Sequence, residues 1–132
     1  MAGSVRRVGE SNGAADDGVI GRGTKVFAAP AVQGEWRRLE DPDDVLELMD
    51  LSASGVVACV TDAGATFLAP LFDELAAVVC LSGTPVSHIG IVSREYKVPC
   101  IMGTTLDAEP TDGDRVEVDC TGDDGLLRAL GR

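Results

Sequence analysis

Ala77-Val78-Val79-Cys80-Leu81-Ser82-Gly83-Thr84-Pro85-Val86-Ser87-His88-Ile89-Gly90-Ile91-Val92-Ser93-Arg94-Glu95-Tyr96-Lys97-Val98-Pro99-Cys100-Ile101-Met102 reads as strand, turn, helix, strand. Ala77 to Leu81 is a continuous apolar run of strand length, the pattern of a strand buried on both faces. Gly83-Thr84-Pro85 is a turn. A helix is predicted from about Val86 to Tyr96, Lys97-Val98-Pro99 breaks out of it, and Cys100 to Met102 forms the next strand, ending at Gly103.

Upstream the same grammar repeats. Val56-Val57-Ala58-Cys59-Val60 is another continuous apolar strand, followed by Thr61 and Asp62, and a short helix is predicted over Thr66 to Leu75. Asp41-Pro42-Asp43-Asp44 is a helix start: Asp41 can cap, Pro42 suits the first helical position, and two acids favour the positive end of the dipole. Thr24 to Ala28 is a candidate short strand, and Gly34 to Leu39 is ambiguous, with Trp36 as its anchor. Arg115 to Asp119 alternates polar and apolar residues as a half-exposed strand does, and Gly125 to Leu130 closes as a short helix or strand. Alternating strands and helices imply an α/β fold, a central mostly parallel sheet flanked by helices.

The 132 residues suit one domain. Hydrophobic residues make up 45% of the chain and aromatics 4%, so Val, Leu, Ile and Ala must build the core. Residues 1–18 are poor in large apolar groups and are expected to form a disordered tail, with the domain in 19–132. The net charge of −11 argues against nucleic acid or an anionic membrane as partner, and leaves a basic protein face compatible. No apolar run approaches the roughly 18 residues that span a bilayer, and no apolar stretch follows Arg6 and Arg7, so a cytoplasmic location is expected.

Cys59, Cys80, Cys100 and Cys120 are spaced by 21, 20 and 20 residues. Structural metal sites bring ligands in close pairs such as Cys-x-x-Cys. None occurs here, so no metal site is expected and the cysteines read as small buried hydrophobes.

His88 is the sole histidine. A lone histidine is more often structural than reactive. This one follows a glycine turn and opens a helix, where unsatisfied backbone N–H groups and the dipole favour an anion such as phosphate. Gly83 admits a close backbone approach, and Thr84 and Ser87 add hydroxyls, although Ser87 could serve only as the helix cap. A neutral imidazole there is a nucleophile, and a phosphoryl group on it would face those donors.

The stretch Ser87 to Gly103, together with Val56 to Thr61, Pro70 to Leu81 and Asp112 to Asp119, resembles the mobile domain of PEP-utilising enzymes, the swivelling β/β/α phosphohistidine domain of PEP synthase, pyruvate phosphate dikinase and rifampin phosphotransferase. About residues 18–122 carry the likeness. The family pattern runs Gly-Gly-x-Thr-Ser/Cys-His, then Ala/Ser-Arg-Glu, then x-x-x-Pro-Ala/Cys-x-x-Gly. Here Thr84 stands for the second glycine and Val86 for a threonine that some dikinases phosphorylate for regulation. Gly90 replaces a common alanine, at a small expected cost in helix stability.

The resemblance implies that His88 is the catalytic phosphoryl carrier, that Gly83, Thr84 and Ser87 bind phosphate, and that Arg94 and Glu95 support the helix. It implies an enzyme subunit inactive alone and binding no cofactor itself. ATP and Mg would sit on a large ATP-grasp-type partner, and the acceptor would be a small molecule, with phenols as in phenylphosphate synthase-like split enzymes. Donor (ATP or PEP) and reacting imidazole nitrogen stay open. Alternatives are a split PEP or pyruvate synthase subunit, a non-catalytic regulatory module, and a hydro-lyase small subunit with a similar swivelling fold.

Overall fold

The computed structural model describes residues 18–131. The expected tail at 1–18 therefore falls, but for Gly18, outside the described residues. Seven strands run β1 Val19–Lys25, β2 Ala29–Arg38, β3 Val56–Val60, β4 Ala77–Cys80, β5 Cys100–Leu106, β6 Arg115–Cys120 and β7 Gly125–Gly131. The helices are α1 Pro42–Leu51 and α2 His88–Tyr96, with a single 3-10 turn at Ala69–Leu71.

The strands close into a barrel in the order β1-β5-β4-β3-β2-β6-β7. β2, β3, β4 and β5 pair in parallel. The other four pairings, β1 with β5, β1 with β7, β2 with β6 and β6 with β7, are antiparallel. This corrects the expected central, mostly parallel sheet flanked by helices. The physical reason lies in the continuous apolar strands. Their two faces are indeed both buried, but one face looks into the barrel and the other lies under the helical side.

Two cores divide accordingly. Trp36, Val57, Cys59, Ala77, Val79, Ile101, Val116, Val118, Cys120 and Leu127 form one. Val56, Ala58, Val60, Val78, Cys80, Cys100 and Met102, the alternate residues of β3, β4 and β5, form the other with Val45, Leu48, Leu68, Leu71 and Ile89. An apolar run cannot say whether its second cover is a helix or the far wall of a barrel.

Other local readings also shift. The candidate strand at Thr24 to Ala28 contributes only Thr24 and Lys25 to β1, and the ambiguous 34–39 segment lies mostly in β2. The helix expected over Thr66 to Leu75 reduces to the 3-10 turn. α1 forms as read: Asp41 caps it, accepting the N–H of Asp44 at 3.1 Å. All four cysteines are buried free thiols. Desolvation pushes the Cys59 and Cys100 thiols up to about 12 and Cys120 to about 11, so thiolate chemistry is suppressed. No helix among the described residues is long and apolar enough to cross a membrane.

Candidate functional site

The carboxyl ends of the parallel strands gather the chemistry-bearing loops, as they do in open α/β folds. β3 delivers Thr61 and Asp62, β4 delivers Ser82, and β5 passes through Gly103. Ser82 ties two of these loops together. Its hydroxyl donates to the Thr61 carbonyl at 2.6 Å and accepts the Ala63 N–H at 3.1 Å. The Ser82 carbonyl accepts the Gly103 N–H at 3.0 Å, and the Ala63 carbonyl accepts the N–H of Ile89 at 3.0 Å. The start of α2 is thus held by a chain of bonds running from β3 through β4 to β5.

His88 is the first residue of α2 and is exposed. Ser87 occupies the cap position, yet its side chain makes no capping bond. It folds back instead: Ser87 Oγ accepts the Thr84 N–H at 3.0 Å, while the Ser87 N–H donates to the Thr84 carbonyl at 2.9 Å. The Thr84 hydroxyl accepts a long bond of 3.4 Å from the Val86 N–H. Both hydroxyl oxygens are engaged as acceptors, which leaves each O–H hydrogen able to turn toward an anion. The first intrahelical bond runs from Ile91 N–H to the Ser87 carbonyl at 3.0 Å. With the Ile89 amide taken by Ala63, the His88 and Gly90 amides have no acceptor among the described residues. Such N–H groups, with the dipole behind them, favour a negative charge at this helix end.

Two glycines make this turn possible. Gly83 adopts φ +76°, and a Cβ on it would stand 2.3 Å from Ala63 Cβ and 2.7 Å from Ser87 Oγ. Gly90 lies under the turn: Cβ vectors tilt toward the helix N-terminus, and here one would meet the Pro85 carbonyl oxygen at 2.3 Å. The small propensity cost expected of Gly90 is therefore set against a steric need for glycine at this position. Gly90→Ala gains about 1 kcal/mol of helix propensity but incurs an overpacking cost of about 1–3 kcal/mol. A lower melting temperature is expected for this variant in a thermal melt. A raised one would mean that the Gly83 to Pro85 turn can retreat from α2.

Arg94 and Glu95 separate in role. The Arg94 guanidinium donates to the Val26 carbonyl at 2.7 Å, pinning α2 to the β1–β2 connection. Glu95 is exposed and forms no ion pair with Arg94 among the described residues. Sequence reasoning missed Ser82 and the structural duty of Gly90 and Gly103. An isolated glycine inside a helical pattern was the available signal for Gly90. Gly103 has φ +58°, and a Cβ there would lie 3.0 Å from the Gly83 carbonyl oxygen, so β5 packs closely at this point against the glycine turn before α2.

A family model described as "PEP-utilising enzyme, mobile domain" matches residues 52–122, over half of the chain. The chain belongs to this family. The matched residues include the whole Ser82 to Gly103 unit. A relative, chondramide synthase cmdD of Chondromyces crocatus, is 42% identical over 62 residues, which is 46% of this chain. The chain spans only 2% of that relative's length. Two solved structures share the fold. An MccF-like protein of Bacillus anthracis strain Ames has a TM-score of 0.59 at 11% identity, covering 83% of this mobile domain chain and 43% of its own. A UPF0107 protein has a TM-score of 0.54 at 13% identity, with 83% and 97% covered.

Proposed function

We propose that this mobile domain carries a phosphoryl group on His88. The observation that carries the reading is an exposed imidazole on the first residue of α2, beside two unpaired helix amides and the Gly83 turn. An imidazole nitrogen attacks phosphorus, an N–P bond forms, and the P–O bond to the donor's leaving group breaks. At the second site an acceptor oxygen attacks, the N–P bond breaks, and free imidazole returns. Positioning and charge stabilisation suffice for such transfer. Gly83 sets the turn, the Thr84 and Ser87 hydroxyls and the His88 and Gly90 amides meet the phosphoryl oxygens, and Ser82 and Arg94 hold α2 in place.

The exposure of His88 suits a group that enters other sites. The clefts at Arg38 and Asp112, at Ile20 and Val116, and at Pro42 and Pro70 are lined by other residues. In this reading ATP, with Mg, is bound by a large ATP-grasp-type partner in the cytoplasm. The acceptor is a small molecule, with phenols the favoured class and pyruvate the alternative. Family membership supports the phosphotransferase class; the split-subunit arrangement and the acceptor are the finer part of the proposal.

Because His88 is the sole histidine, phosphoramidate offers a direct test. Folded protein is expected to gain one acid-labile, base-stable phosphate, at least about tenfold faster than urea-unfolded protein, corresponding to ~1.4 kcal/mol of transition-state stabilisation by the folded site. Equal rates in the two states would remove the case that the turn and helix end are a phosphoryl site.

A further inference from the structure

Between α1 and the 3-10 turn lies an apolar groove that the phosphoryl chemistry does not use. It has a volume of about 520 Å³ and is lined chiefly by Pro42, Val45, Leu46, Met49, Phe67 and Pro70. Leu46 and Met49 are 60% and 51% exposed. An amphipathic helix normally turns such residues inward; α1 buries Val45 and Leu48 and leaves this second apolar face open.

The segments that form the groove carry charge of one sign, the nearby Arg37 and Arg38 lining a separate cleft with Asp44 and Glu47. From Leu39 to Ser93 the chain holds nine Asp and Glu residues and no Lys or Arg. Asp43 and Asp50 lie three and four residues from Leu46, the spacing that makes them its neighbours on the helix surface. Asp73 and Glu74 follow Pro70. All four are exposed, and none has an ion-pair partner among the described residues. Unpaired like charges around an apolar centre match a partner with the opposite pattern, an apolar knob ringed by Lys and Arg. The segment that lines the groove is also tied to α2: Phe67 lies in the loop whose Ala63 carbonyl holds the Ile89 amide, and Phe72, just after the 3-10 turn, stacks on Tyr96 of α2 with ring centroids 5.8 Å apart.

We propose that this groove docks the phosphoryl-donating partner, through a basic surface with an apolar centre. The inference rests on the carrier reading and adds the face by which the donor recognises the domain. Docking here would bring the donor against the segment from Ala63 to Pro70, whose Ala63 carbonyl holds the Ile89 amide at the start of α2.

The test uses clarified extract of cells that naturally make the protein, with β- or γ-labelled ATP, and runs phosphoramidate labelling in parallel. Leu46→Arg/Met49→Arg is expected to fold normally, because both side chains are largely exposed. Its labelling from extract should fall at least about tenfold while its labelling by phosphoramidate is unchanged. Raising NaCl from about 0.05 to 0.5 M should slow extract labelling of the unaltered protein several-fold, and Asp43→Lys/Asp50→Lys should flatten that dependence. Unchanged extract labelling of the arginine variant would overturn the proposal. So would equal losses with both reagents, or a change only in oligomeric state, which would assign the groove to a second copy. Labelling of the unaltered protein by phosphoramidate but not by extract would also overturn it, leaving the carrier reading in place. Failure of the unaltered protein to label with either reagent would instead remove the carrier reading.

Discussion

His88→Ala is expected to abolish phosphoryl transfer through this domain while leaving the fold intact. The imidazole is exposed and no core cluster includes it, so its removal opens no cavity. Its backbone keeps its place, since the neighbouring Ile89 amide still bonds the Ala63 carbonyl. Surface truncations of this kind usually change stability by less than about 0.5 kcal/mol. The chain offers no second histidine to take over, so acid-labile phosphate should drop to background in both ATP-dependent and phosphoramidate labelling. Circular dichroism and the melting temperature should match the parent protein. A variant that unfolds would assign His88 a structural duty. A folded variant that retains acid-labile label would sink the carrier reading.

Trp36→Ala is expected to have the largest effect on stability. Trp36 is fully buried and packs in the core shared by β2 to β7. Truncation there costs about 3–5 kcal/mol, a large part of the 5–15 kcal/mol typical of a whole domain. The indole has a second peculiarity: its Nε1–H is buried with no hydrogen-bond partner among the described residues. Trp36→Phe deletes that unsatisfied donor and keeps most of the aromatic volume, so its cost should be well under half that of alanine. Equilibrium urea unfolding of the two variants checks this. Equal losses would mean that the indole nitrogen has an acceptor that matters.

The local structure of the candidate site was more legible in the sequence than the architecture around it. The glycine turn and the helix start that places His88 are local features, fixed by neighbours within a few residues. The helix cap at Asp41 was readable for the same reason. The barrel was not, because closure depends on which strand meets which across the whole chain. β1 and β7 are separated by a hundred residues, and their pairing leaves no mark on either segment. The strand runs gave the correct burial on both faces but not the identity of what covers them. Gly90 shows a subtler failure: helix propensity ranks it as a defect, whereas the Pro85 carbonyl requires the missing side chain.

The pairing of β1 with β7 has a consequence for any polypeptide joined to this domain. The Ala129 N–H bonds the Gly18 carbonyl at 2.8 Å, and Val19 lies opposite Arg128. The chain therefore enters and leaves through one doorway. A polypeptide joined at Gly18 and one joined after Gly131 would meet the barrel at the same pair of strands. With the last strand joined to the first, the sheet of the described residues also presents no open edge onto which another chain's strand could add.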